Sequence, residues 1–327
     1  MTAEWFRPRG YRHFDAQVGG PFAERISQVG IVERHSWLPL IHYEKRIKRY
    51  KPKDGKTVFK ARPIMYASHR DACILSKYAW ELSSKLDAYY QQSDLDRHVI
   101  AYRKLGKSNY HFSADALRFA RARPHCVVLC YDISGFFDHL DHHILKDRLK
   151  HILKTPELAR DWFSVFRHVT RFSVVAKDAL AAHPRFGPEL SIRSREPIAT
   201  ISEIIAEGIP IKTNPNKYGI PQGTPISSVF SNLYMLEVDL RMVEVCGRRG
   251  ALYQRYSDDI LIICNVGDDA SKIYTKKLRR RFYPVGARNF SSYARRSAQV
   301  FGSKKIVRQV LRLERTIDKE LRDLEAH

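Results

Sequence analysis

Long apolar runs are missing from this chain of 327 residues, and no stretch approaches the roughly 18 consecutive apolar residues of a membrane span. Cysteine is scarce too. The five thiols, Cys73, Cys126, Cys130, Cys246 and Cys264, form no Cys-x-x-Cys pair and no His/Cys zinc spacing. Cys126 and Cys264 lie beside apolar runs and are expected as core thiols. The opening "MTAEWFRPRGYRHFD" lacks the apolar region of a secretory leader. A reducing, cytoplasmic setting with no membrane partner is the expectation. Acidic residues are the third shortage: 35 Asp and Glu face 57 Lys and Arg, a formal net charge of +22. Such a field suits an extended polyanion, nucleic acid foremost, although a heavily solvated surface or a ribosome-like structural role would share the composition.

The remaining composition is that of a folded protein. Hydrophobic residues make up 44% and aromatic residues 11%, more than disordered chains carry. The length favours two or three subdomains sharing a core, with no internal repeat and no flexible linker. Residues 1 to 45 mix aromatics with Arg and His without a sustained period, so an irregular, partly packed extension is expected. Residues 46–68 read as a basic hairpin turning at Asp54-Gly55. Ile74, Tyr78, Leu82 and Leu86 have helical spacing within 71–90. "CVVLCYDI" (126–133) reads as a central strand and "HHILKDRLKHIL" (142–153) as an amphipathic helix. From about 155 to 218 the pattern is ambiguous, helix first and then loops or hairpins with proline. "GIPQGTP" (219–225) leads into a helix expected to run to about 242, with Thr224 as its N-cap and Pro225 at the first helical position. The tail after 300 ends in a helical pattern carrying both charge signs.

Scarce as acids are, three stand where they cost most. Asp258 and Asp259 in "RYSDDILIIC" (255–264) abut a strand-like apolar run, and Asp132 follows "CVVLCY" in the same way. Two carboxylates ~4 Å apart repel by about 4 kcal/mol at an effective dielectric near 20. An Asp pair can simply mark a hairpin turn. Two strands delivering their acids to one point would instead make a site for Mg²⁺, which takes oxygen ligands from one or two carboxylates and substrate phosphates. Paired ions of this kind activate an attacking hydroxyl and stabilise a leaving pyrophosphate.

"YDISGFFDHLDH" (131–142), "GIPQGTPISSVFSNLYM" (219–235) and "RYSDDILII" (255–263) occur in an order that resembles the palm motifs of reverse transcriptases, the last being their Tyr-x-Asp-Asp box. The resemblance covers about residues 46 to 270. "VIAYRKLGKSNYHFSADALRFA" (99–120) is similar to the segment before the first catalytic Asp in bacterial retron, group II intron-like and abortive-infection polymerases. "WFRPRGYRHFD" is similar to defence-associated members that work with a noncoding RNA. The resemblance implies Asp132, Asp258 and Asp259 as catalytic metal ligands, with the Ile133 carbonyl completing the set. It implies Phe137 as an aromatic gate against a 2′-hydroxyl, with either Phe136 or Phe137 in the core, and Gln222 and Gly223 as nucleotide contacts. Lys60 and Arg62 match a Lys-x-Arg grip on the triphosphate; one strand-repeat apart, they face the same way. Arg103, Lys104 and Lys107, interleaved with Tyr102 and Tyr110 and joined by Tyr256, suit a nucleic-acid contact strip. His139, His142 and His143 with Asp138 and Asp141 could suggest a metal cluster, but a solvated helix start explains them better.

Beyond the Tyr-x-Asp-Asp strand the pattern departs. Residues 275–305 are rich in Arg and Ser without an acid, and "VFGSKK" only weakly echoes the family's primer grip. No RNase H-like acidic set, protease box or endonuclease motif is evident. The expectation is an α+β right-hand polymerase. It has an extension (1–45), fingers (46–125 and 150–210), a palm with an antiparallel sheet (126–149 and 211–270) and a reduced, basic helical thumb (271–327). The implied activity is RNA-directed DNA synthesis from dNTPs with two Mg²⁺, Mn²⁺ substituting, on a structured noncoding RNA in antiphage defence. An RNA-templated RNA polymerase and a non-catalytic RNA-binding palm are the alternatives; Phe137 argues against the first and the retained acids against the second.

Overall fold

A computed structural model describes residues 3–28, 30–51, 55–123, 126–265 and 283–284. In chain order, a short helix α1 (Gly20–Arg25) precedes strands β1 (Leu40–Lys51) and β2 (Lys56–Tyr66). Helices α2 (His69–Gln92) and α3 (Asn109–Arg121) lead to β3 (Cys126–Asp132), α4 (His142–Leu153) and α5 (Arg160–Thr170). Next come β4 (Ser173–Ala176), three short helices α6 (Lys177–Ala182), α7 (Phe186–Ser191) and α8 (Ile201–Ala206), and β5 (Ile211–Thr213). Helices α9 (Ser227–Tyr234) and α10 (Leu236–Gly247) precede β6 (Leu252–Tyr256), β7 (Asp259–Asn265) and β8 (Tyr283–Pro284). The chain divides into two compact units, residues 1–82 with 154–228, and 83–153 with 229–327.

The first unit holds a sheet in the order β2-β1-β4-β5, in which only the β1–β4 pair is parallel. Ile41 and Val175, neighbours across that pair, are fully buried with Leu180, Phe186 and Ile204, and buried Phe14 packs with them. The N-terminal extension is built into this unit. Both carboxylate oxygens of Asp15 accept from the first helical N–H groups of α2, His69 at 2.9 Å and Arg70 at 2.8 Å, donors the helix itself cannot satisfy. Burial alone would raise the Asp15 pKa, but these bonds and the His69 ring hold it below its usual value.

The second unit holds an antiparallel sheet in the order β6-β7-β3-β8. Ala116 and Ala120 of α3 bring that helix close to Cys126, Val128 and Ile263, so α3 packs on one face of this sheet. Residues 211–228 fall in the first unit, where the 219–225 loop bonds to β2. The sheet's strand β8 lies past residue 270, inside the stretch expected as thumb.

The helix expected over 225–242 is two helices. Ser227 Oγ donates to the Pro221 carbonyl at 2.5 Å and bonds Thr224 Oγ1 at 2.6 Å, so Thr224 serves a polar turn and the helix starts two residues beyond Pro225. Met235, at φ −85° and ψ −1°, bonds back three residues to Asn232 and tightens the chain between α9 and α10. Asp54, the C-terminal helical pattern and the rest of the thumb expectation lie outside the described residues.

Candidate active site in the antiparallel sheet

The pairing of β3 with β7 runs from Cys126 opposite Asn265 to Asp132 opposite Asp259. Directly opposed residues present side chains to the same face, so the register alone places Asp132 and Asp259 together. Asp258 comes from the two-residue turn between β6 and β7, and its carbonyl accepts the Ile133 N–H at 3.2 Å. The three acids and Ile133 therefore lie at one end of the sheet, with Asp259 exposed and Asp132 and Asp258 half-buried. Among the described residues no three or more His, Cys, Asp or Glu side chains are grouped so as to hold a metal ion by themselves. An open, all-oxygen set of this kind fits a hard divalent ion that completes its shell with phosphate and water, and does not fit a soft metal needing thiolates.

The turn is held from beneath. Ser257 takes φ 60° at its first central position, where glycine is favoured, and an ordinary side chain there costs about 1 kcal/mol or more. Its carbonyl accepts from Arg255 Nη1 at 2.9 Å, and Tyr102 Oη donates to its hydroxyl at 3.2 Å. Arg255 is 0% exposed. Its Nε and Nη2 each bond the Asp239 carboxylate at 2.7 Å, Nη1 also reaches Asn232 Oδ1 at 3.1 Å, and Tyr253 Oη donates to Asp239 at 2.7 Å. Burial would favour a neutral Arg255, but the Asp239 charge overrides it and keeps the guanidinium protonated. Tyr102's pKa is raised by burial, against the pull of its Ser257 bond and with a further push from the Asp258 charge. Cys130 is raised by burial and by Asp259.

This support was missed in the sequence. Its signal was there: Arg255 shares the strand face of buried Tyr253, and Asp239 falls three residues from both Leu236 and Met242 on the buried side of α10. A buried charge implies an opposite one.

Other expected site residues distribute between the units. In the second, Phe136 is 2% exposed and belongs to the core, while Phe137 is half-buried with its ring edge-on to Phe136 at 5.6 Å. Tyr102 and Tyr256 are partly exposed, ring centroids 6.2 Å apart, beside the acidic turn. Arg103 departs from its expected role. Its side chain is 4% exposed, paired with Asp87 at 2.6 Å and Asp96 at 2.5 Å, bonded to the Asp96 and Val99 carbonyls and stacked over Tyr90. It organises the loop 93–103 and offers nothing to nucleic acid. Lys104 is exposed, and Lys107 reaches Asp115 at 3.1 Å in the open. Asp141 accepts from the His143 N–H at 2.8 Å and caps α4, with His143 paired to Asp147, so these residues serve the helix start.

In the first unit, positions 60 and 62 share a face of β2, and Arg62 is exposed. Gln222 accepts the Met65 N–H at 2.8 Å through its carbonyl. Gly223 sits at φ 117°, and a Cβ there would meet the Met65 oxygen at 2.8 Å and Ile64 Cγ2 at 3.0 Å. Only glycine lets the loop lie this close to β2.

A family model described as "Reverse transcriptase (RNA-dependent DNA polymerase)" matches residues 83–283, more than half of the chain. Among solved structures, the chain is similar to apo telomerase from Candida tropicalis truncated from its C-terminal domain, at 13% identity and a TM-score of 0.41, covering 79% of this chain and 52% of that one. The longer apo telomerase from Candida tropicalis gives 11% identity and 0.44 over 83% and 48%. Telomerase from Candida albicans in complex with a fragment of telomeric RNA gives 14% and 0.37 over 76% and 41%. The chain thus spans about half the length of the first two and less of the third.

Proposed function

Because this chain belongs to the reverse transcriptase family, whose members are RNA-directed DNA polymerases, we propose that it copies RNA into DNA at the acidic end of the β3–β7 ladder. The observation that carries the proposal is Asp132 facing Asp259 across that ladder, with Asp258 in the adjoining turn. Two Mg²⁺ ions held by these carboxylates and the Ile133 carbonyl would supply the charge that sharpens a primer 3′-hydroxyl and offsets the leaving pyrophosphate. The chain's own residues do the rest. Phe137 fills the space a 2′-hydroxyl would need, selecting dNTPs by shape. Lys60 and Arg62 grip the triphosphate, Gln222 and Gly223 contact the incoming nucleotide, and Tyr102, Tyr256, Lys104 and Lys107 track the nucleic acid. The +22 charge supports RNA as the standing partner.

The finer reading is a defence-associated bacterial enzyme acting in the cytoplasm on a structured noncoding RNA encoded beside it. The opening "WFRPRGYRHFD" and the 99–120 segment support that placement. Two assays test these levels. Purified protein given one RNA template should incorporate dNTPs in preference to rNTPs; a preference for rNTPs would move the chain to the RNA polymerases. Expression of the complete locus should lower phage plating efficiency, and unchanged plating would remove the defence role while leaving the chemistry.

A further inference from the structure

The first unit contains a cavity of about 640 Å³ that none of the polymerase motifs line. Its volume is that of small-molecule sites. Tyr11, Arg12 and Gln17 of the extension form one side, and residues 190–195 with Lys177 form the other. The two segments are tied together through the backbone: Gln17 N–H donates to the Arg195 carbonyl at 3.2 Å, and Ile198 N–H to the His13 carbonyl at 2.8 Å.

The lining is cationic. Arg12, Lys177, Arg193 and Arg195 face the cavity, and among the described residues no Asp or Glu lines it. Arg12 is buried, its two terminal nitrogens bonded to Glu189 and the Ile192 and Pro197 carbonyls. Its Nε has no hydrogen-bond partner among the described residues. Arg193 and Arg195 are exposed and form no ion pair within the described residues. Glu189 answers the Arg12 charge, but Lys177, Arg193 and Arg195 leave three like charges around one space, and an anion answers them. Guanidinium groups bind phosphate through paired, charge-assisted hydrogen bonds.

An aromatic wall adds a second preference. Tyr11 and Tyr66 meet at 4.9 Å and 65°, and Tyr11 is fixed by its hydroxyl bond to the Ala67 carbonyl at 2.7 Å and by stacking on His69. Inorganic phosphate would leave that wall unused, whereas a base packs against it. Ser191, Ser194 and Gln17 can bond a sugar or base edge. We propose that this cleft binds a nucleoside phosphate, either a free nucleotide or one nucleotide of a single RNA strand, independently of the polymerase reading.

The test uses the full chain and three probes: inorganic phosphate, AMP and a fluorescent ten-nucleotide RNA. Wild type is compared with Arg193→Gln/Arg195→Gln and with the charge-matched pair Lys212→Gln/Lys217→Gln, all four residues being exposed. The arginine pair should weaken binding at least about tenfold and lower the salt slope for the RNA by about 1.4, for two lost phosphate contacts, with the lysine pair near wild type. Loss of AMP binding identifies a free nucleotide; loss confined to the RNA identifies a strand. Equal weakening by both pairs, no effect of the arginine pair, or phosphate binding as tightly as AMP and RNA would overturn the site.

Discussion

Replacing Arg255 separates the stability of the palm from the placement of its acids. The guanidinium is fully buried, doubly bonded to Asp239 and singly to the Ser257 carbonyl beneath the Asp258 turn. Arg255→Met leaves the Asp239 carboxylate buried without its counter-charge, and such broken pairs cost about 3–5 kcal/mol. Removing both charges in Arg255→Met/Asp239→Leu should restore most of that stability, since hydrophobic replacements of buried pairs are often neutral. The double variant still lacks the bond that holds Ser257 at its positive φ. Its kcat for dNTP incorporation should therefore remain about 10²-fold low, the loss expected for reacting groups displaced by about 1 Å. Urea unfolding followed beside incorporation kinetics reads both effects. A double variant with recovered stability and wild-type kcat would refute the claim that this network positions the acids, and a single variant destabilised by under about 1 kcal/mol would refute the burial argument.

Phe137→Val should raise rNTP use relative to dNTP about 10- to 100-fold, read as a ratio of kcat/KM values; an unchanged ratio would return Phe137 to the core with Phe136. Gly223→Ala, which drives a Cβ into the Met65 carbonyl, should cost about 1–3 kcal/mol and raise the KM for dNTP, checked by melting and steady-state kinetics. His13 and His168 are both buried, and burial lowers each pKa to about 4. Because these folded values lie below the unfolded value near 6.5, the stability they carry is complete above that pH and falls as the pH drops from 6.5 towards 4. The loss amounts to roughly 3 kcal/mol per histidine. His168→Phe, which keeps the stack on Trp37, should flatten part of the slope in Tm against pH, and an unaltered slope would contradict the assignment.

The parts of this molecule that were legible in the sequence are those fixed by local periodicity. The spacing of Leu145, Leu149 and Ile152 produced α4 with its ends in place, and the apolar run before Asp132 produced β3. The meeting of Asp132 with Asp259 was legible as well, because each stands at the end of an apolar, strand-like run. What could not be read depended on contacts distant in sequence. Asp15 capping α2, the extension sealing against residues 190–198, and Arg103 closing its own loop each join segments whose spacing carries no period. The break at Met235 hid inside a continuous helical pattern because the tightened backbone bond to the Asn232 carbonyl leaves the apolar spacing unchanged. Charge counting misassigned Arg103 for a related reason: a Lys/Arg-rich stretch does not reveal which of its cations already has Asp87 and Asp96 beside it.

The most direct measurement is RNA-templated dNTP incorporation with Mg²⁺ by the purified protein, beside the Asp258→Ala/Asp259→Ala variant. The account predicts incorporation by the wild type, lost in a variant that still melts cooperatively and still binds RNA. Incorporation surviving in that variant, or absent from a folded, RNA-bound wild type, would contradict a polymerase centred on these acids.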